Sequence, residues 1–264
     1  MKRTFFLVTM LLMSLSCLAW GRFGHTTIAE IAERHLRPDV KERIMHYTGG
    51  RHLADFALFM DSVVNIPPYK TALKGWHASI VDVKCKSPKS VREAVRKSRD
   101  GVTAMEDFRL SLKNYREMDD STVLLAIKCI VHIVADFHCP SHIRYTDKGN
   151  DGKEPIKYFK KKTTIHKVWD TALIQGEHPK WTYKMYADKL DTYSEKEIRR
   201  VTKGWAKEWF EDAAKDFRPY LFRVEPSMQL NRENFVEWAL PVAEKQIQKA
   251  GYQLAFALNT IFAK

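Results

Sequence analysis

The 264-residue chain is 45% hydrophobic, enough to build one large domain or two small ones. Its 44 Lys and Arg outweigh 32 Asp and Glu for a net charge of +12, a balance that suits a polyanion such as nucleic acid or anionic lipid without deciding between them. No apolar run is long enough to span a bilayer as a mature helix, and the three cysteines beyond residue 19 are an odd number that excludes a full disulfide framework.

Residues 1–19 read as a signal peptide. Lys2 and Arg3 supply a positive start, residues 5–13 a short apolar core, and Cys17 and Ala19 small residues at the third-last and last positions before a cut. Cleavage there removes only those two charges and leaves 42 basic against 32 acidic side chains, or +10. A secreted or periplasmic protein is expected, with no stable membrane insertion. A lipoprotein cut before Cys17 is the competing route, and Ser14, Leu15 and Ser16 fit a lipobox poorly.

From residue 20 onward nearly every periodic segment has a helical period. Helices are expected over 26–36 and 53–64, then from a capping box of Ser90 and Glu93 to about Tyr115, with a bend at Gly101. The longest apolar run, 121–142, is capped by Asp120 or Ser121 and stopped by Pro140. Thr163 or Thr164 caps a shorter helix through Ile174, Ser194 and Glu197 form a second capping box before a helix to about Phe217, and 231–262 is helical with a kink at Pro241 or Gly251. Loops are expected at 65–75, 83–89, 145–162 and 219–229, and convincing strands are absent. The fold class is therefore all-α, a single multi-helix domain over 20–264.

Within that apolar run, His132 and Asp136 stand four residues apart on one helical face, and His142 follows on the turn after Pro140. A buried imidazole and carboxylate need partners. Two partnerships answer the need: a metal ion, or a core histidine bonded to a nearby carboxylate. Further candidates are His25, Asp61, His77 and the pair His166 and Asp170, again four apart. Nitrogen and oxygen ligands without thiolates suit zinc, and ligands from separate helices suit a bundle interior. Cys129 reads as a buried thiol, Cys139 as a thiolate ligand or, the favoured reading, a bystander beside the ligands, His138 as pointing away from the ligand face, and Lys128 as reaching solvent or a carboxylate. The basic run of Lys157, Lys160, Lys161, Lys162 and Lys167 reads either as a solvated loop or as a phosphate guide before His166.

With these residues in view, the chain resembles the trinuclear-zinc, single-strand-specific nucleases of fungi and plants, which share a superfamily with zinc-dependent bacterial phospholipases C. The resemblance runs over essentially all of 20–264. It is carried by WGRFGH at Trp20 to His25, FMD at Asp61, WH at His77, HIVADFHCPSH at His132, Asp136 and His142, GND around Asn150, IHKVWD at His166 and Asp170, and AGYQLAFALN near the end. Thr164, Met60, Phe59 and Ala78 depart from the family pattern, and Ala78 stands where an aromatic residue often helps to hold a base.

The resemblance implies three zinc ions. One is held by Asp61, His77, His132 and Asp136; a second by the α-amino nitrogen and carbonyl oxygen of Trp20, by His25 and by Asp136 as a bridge; a third by His142, His166 and Asp170. It further implies metal-assisted hydrolysis of single-stranded DNA or RNA to 5′-nucleotides and removal of phosphate from 3′-nucleotides, with Asp61 and Asp136 as the catalytic carboxylates. Asn150, Lys161 and Lys162 are the expected substrate contacts, and no protein partner is implied. The alternatives are a zinc-dependent phospholipase C, whose relatives carry Glu where Asp170 stands, and a non-catalytic exported zinc-binding helical protein.

Overall fold

The first described helix, α1 (Gly21–Arg34), begins where Trp20 turns into the left-handed region at φ 38° and its carbonyl accepts from Gly24 N at 3.0 Å. The computed structural model describes residues 20–87, 100–148 and 152–263. The expected leader, the capping box of Ser90 and Glu93, and Asn150 lie outside them. The helix thus starts five residues before the expected Thr26, because Gly24 leaves room for the Trp20 side chain to fold over the first turn: a Cβ there would sit 2.7 Å from Trp20 Cβ. Ile28, Ala29, Ile31 and Ala32 on α1 are fully buried.

After α2 (Pro38–Thr48), which the sequence reading passed over, the expected 53–64 helix resolves into a 3₁₀ turn (Leu53–Phe56) and a short α3 (Phe59–Val63). The expected loop at 65–75 holds α4 (Tyr69–Ala72). Gly101 opens α5 (Gly101–Ser111) rather than bending a longer helix, because Asp100 caps it by accepting from Thr103 N. The apolar helix α6 (Asp120–Phe137) is capped by Asp119, one residue earlier than expected, and ends ahead of Pro140. Thr164 caps α7 (Ile165–Lys167), which continues through a π-helical stretch (Val168–Ala172) into α8 (Leu173–Glu177).

The helix α9 (Tyr183–Leu190) was also missed, although Thr182 caps it. The capping box of Ser194 and Glu197 does open α10 (Glu195–Val201), but Gly204 at φ 89° separates it from α11 (Ala206–Leu221). The last helix α12 (Glu237–Phe262) runs unbroken through Pro241 and Gly251. Its Gly251 meets Ile31 of α1, so the first and last helices pack backbone to side chain.

The structure corrects the reading on strands. Among the described residues five short ones are present: β1 (Ser79–Val81) pairs in parallel with β2 (Ile143–Tyr145), while β3 (Pro155–Tyr158) lies between antiparallel β4 (Lys161–Thr164) and parallel β5 (Gln229–Leu230). Residues 155–162 of the expected 145–162 loop are therefore a hairpin. The protein remains mostly helical, and no helix among the described residues is long and apolar enough to cross a membrane.

Candidate metal centre

Helix α6 carries His132 and Asp136 one turn apart, both fully buried among Ile130, Val131, Ile133 and Val134. His132 Nδ1 donates to the carbonyl of Ala57 at 2.8 Å, which turns Nε2 toward Asp136 Oδ2 at 3.4 Å and Asp61 Oδ1 at 3.7 Å. Asp61 arrives from the first turn of α3. His77 Nδ1 lies 3.0 Å from Asp136 Oδ2 and 3.8 Å from Asp61 Oδ1. From α1, His25 places Nε2 3.4 Å from Asp136 Oδ1 and stacks its ring on His132 with centroids 4.5 Å apart. Asp136 thus meets His25 through one oxygen and His77 and His132 through the other, the geometry a bridging carboxylate requires.

The β1–β2 pair explains why two residues distant in sequence meet. Its register sets Ser79 beside Ile143, so His77 and His142, each just ahead of its strand, come side by side. His142 Nδ1 donates to the His77 carbonyl at 2.5 Å and lies 3.7 Å from Asp136 Oδ2. On the other flank His166 Nε2 approaches Asp170 Oδ2 at 2.9 Å, and the two rings of His142 and His166 stand 5.6 Å apart. The π-helical turn at Val168–Ala172 carries Asp170. Trp20 is buried, and the adjoining Gly21 packs so tightly on this turn that a Cβ would lie 2.7 Å from Thr171 Oγ1 and 3.1 Å from the Asp170 carbonyl.

One expectation needs correction. Cys139 is no bystander: its Sγ converges with His142 and Asp170, donating to Asp170 Oδ1 at 3.3 Å. Burial and the Asp170 charge hold its thiol well above the usual range, so it acts as a neutral donor. Lys128, half-buried, pairs with no carboxylate among the described residues, and its ammonium lies over the rings of Phe56 and Phe59, 5.3 and 5.0 Å from their centroids. His138 does point away, donating from Nδ1 to the Val134 carbonyl. Lys161 and Lys162 stand exposed on β4.

The donor atoms of four overlapping groups lie within 4.8 Å of one another: His25, His132 and Asp136; Asp61, His77 and His132; His77, Asp136 and His142; Cys139, His142 and Asp170. Among the described residues, His25 Nε2, Asp61 Oδ2, His77 Nε2, Asp136 Oδ1, His142 Nε2 and Asp170 Oδ2 are buried without a hydrogen-bond partner. Orphaned polar atoms of this kind are destabilising in a core, and so many converging on one spot fit cations. The electrostatics agree. Burial would raise the Asp136 carboxyl, but His132 and His142 hold it well below the usual carboxylate range. Burial raises Asp61 against the pull of His132, and it lowers His25 and His142 toward the neutral form that ligates metal.

Fold and site together define a helical protein with a buried histidine–aspartate centre able to hold metal. A profile of the S1/P1 nuclease family matches residues 20–263, and the chain belongs to that family. Nuclease S1 of Aspergillus oryzae is 27% identical over 274 residues, covering 92% of this chain and 91% of that protein. Endonuclease 4 and endonuclease 5 of Arabidopsis thaliana are 21% and 22% identical, each matching 93% of this chain. Membership and these relatives make the protein a hydrolytic nuclease acting on nucleic acid.

Proposed function

We propose that the protein is an exported zinc enzyme that hydrolyses single-stranded DNA and RNA to 5′-nucleotides and also removes phosphate from 3′-nucleotides. The observation that carries this reading is the position of Asp136, whose two oxygens face His25 on one side and His77 and His132 on the other. Three zinc ions would be held by Asp61, His77, His132 and Asp136; by Trp20, His25 and Asp136; and by His142, His166 and Asp170. Zinc bound there supplies Lewis acidity toward phosphate oxygens and lowers the pKa of water toward neutrality. The Trp20 α-amino group ligates only once freed by leader cleavage, which makes processing part of site assembly.

The protein's own groups do the positioning. Ala57 fixes the His132 ring, the His77 carbonyl fixes the His142 ring, and Cys139 leaves Asp170 Oδ2 free by engaging Oδ1. Asn150, Lys161 and Lys162 would receive the phosphate backbone. The test combines metal analysis of the secreted, processed protein with assays on denatured DNA, RNA, duplex DNA and a phosphatidylcholine analogue. About three zinc per chain with nucleotide release from single strands is expected. One zinc or none, or cleavage of only the phosphatidylcholine analogue, overturns it.

A further inference from the structure

A cavity of about 670 Å³ is walled by residues of α10, α11 and α12, and none of its lining residues belongs to the candidate metal centre. Its size lies within the range of small-molecule sites. Gly204, at φ 89°, makes the turn between α10 and α11, and Lys203 stands on that turn in the cavity wall. Two features of the walls are not needed by the fold.

The first is charge. Six Lys or Arg side chains line the cavity against three Asp or Glu. The nearby acids are already engaged: Glu211 holds Lys86 and Lys207, Asp212 holds Lys249, and Asp216 holds Lys245. Arg200, Lys203 and Lys215 are exposed, and none of the three forms a salt bridge among the described residues. Their unrelieved charge around one concavity favours an anion. The second is Gln253, 2% exposed in the same wall. Its Nε2 donates to the Val201 carbonyl at 2.8 Å, and a carbonyl only accepts, so the amide orientation is fixed. Oε1 is left buried with no hydrogen-bond partner. An orphaned acceptor in a buried wall calls for a donor.

We propose that this cavity is a second, non-catalytic site for a nucleoside monophosphate, its phosphate held by Arg200, Lys203 and Lys215 and an amine of its base donating to Gln253 Oε1. Bare phosphate answers the cations and leaves Gln253 orphaned, while a nucleoside answers Gln253 and leaves the cations. A nucleoside monophosphate carries the anion and the donor on one scaffold. The site stands on the cavity and its walls, so it holds or fails independently of the nuclease reading.

Calorimetric titration of the processed, metal-loaded protein with adenosine 5′-monophosphate tests it, because that compound has no phosphodiester to cleave. The variant Arg200→Gln with Lys203→Gln and Lys215→Gln changes only exposed side chains and should melt as the wild type does. It should lose one molar equivalent of nucleotide binding, with kcat/KM on a dinucleotide unchanged. On the wild type, purine riboside 5′-monophosphate, which lacks the exocyclic amine, should bind this site roughly 2- to 10-fold more weakly, the range for one lost hydrogen bond. Ribose 5-phosphate and inorganic phosphate should bind more weakly still. Equal stoichiometry in wild type and triple variant puts all the nucleotide at the metal centre and overturns the site. Ribose 5-phosphate or inorganic phosphate binding as tightly as the nucleotide overturns the choice of ligand. Loss of one equivalent in the triple variant of a protein that hydrolyses no strand upholds the site and overturns the nuclease reading alone.

Discussion

His132 and Ala57 are joined by one hydrogen bond, Nδ1 to carbonyl at 2.8 Å, and that bond decides which ring nitrogen the centre receives. A carbonyl only accepts, so Nδ1 carries the proton and Nε2 is presented to Asp61 and Asp136. Burial alone would lower the imidazole pKa, but Asp136 and Asp61 outweigh it and hold the ring at about 9, a sign of how strongly this corner attracts positive charge. The variant His132→Asn keeps a donor near the Nδ1 position and deletes Nε2. It should fold, retain the bond to Ala57, lose about one zinc per chain and lose activity by more than the roughly 10–100-fold typical of outer partners. Full zinc content in folded His132→Asn would remove His132 from the ligand set.

Cys139 and Asp170 make a second prediction. The thiol donates to Oδ1 at 3.3 Å from a fully buried position. Cys139→Ala removes the donor without adding bulk. Zinc affinity at the His142, His166 and Asp170 site should weaken roughly 10–100-fold, while Cys139→Ser, which keeps a donor, should recover most of it. Competition with a graded chelator measures this directly. Equal affinities for the Ala variant and the wild type would return Cys139 to the role of filler. Cys129, whose thiol burial pushes up to about 12, should meanwhile resist alkylation in the native protein.

The histidine–aspartate cluster was legible because its signal is local. His132 with Asp136 and His166 with Asp170 stand out as polar pairs at helical spacing, and His25, Asp61 and His77 fell into order around them. What escaped notice depends on contacts far apart in sequence or on very short elements. Strands β1 and β2, at three residues each, are too short to show alternation, yet their parallel register is what sets His142 beside the His77 carbonyl. The start of α1 escaped because it depends on Gly21 and Gly24 admitting the Asp170 turn and the Trp20 ring, contacts that no local periodicity shows. Cys139 was underrated because its partner lies 31 positions away. The basic run was read as loop because Phe159-Lys160 lacks the glycine or asparagine that announces a two-residue hairpin turn.

Away from the centre, Lys249 on α12 is buried with its amine 2.6 Å from Asp212 and 2.9 Å from Asp216, and Lys245 also reaches Asp216 at 2.9 Å. Burial alone would lower Lys249 and raise Asp216, but their hydrogen bonds outweigh it, so Lys249 stays above its usual value and Asp216 below. Asp216 therefore contributes stability that is present above its unfolded pKa of 3.8 and lost as pH falls through its lower folded value. Lys249 contributes stability that is full below 10.5 and lost as pH rises through its higher folded value. Lys249→Met should reduce stability near neutrality by roughly 1–3 kcal/mol. It should also flatten the loss below pH 3.8 in urea midpoints measured across pH. An acid limb as steep as wild type would sink the assignment.

The contact between Gly251 and Ile31 fixes how α12 lies against α1, and through α1 where His25 stands. A Cβ at Gly251 would fall 2.5 Å from Ile31 Cγ2 and 2.6 Å from its Cβ, with the Ile28 carbonyl at 3.5 Å behind it. Gly251→Ala gains about 1 kcal/mol in helix propensity but forces apart a fully buried seam, where overpacking costs about 1–3 kcal/mol. The net expectation is destabilisation, seen as a lower melting temperature. Because the displaced residue lies on the helix that carries His25, zinc held by His25 should weaken in parallel. Ile31→Gly in the same chain removes both clashing atoms and should recover His25 zinc affinity even though its own cavity keeps stability low. Recovery of affinity without recovery of stability separates helix position from fold strength. If affinity instead tracks melting temperature across the single and double variants, the α1–α12 seam sets only stability.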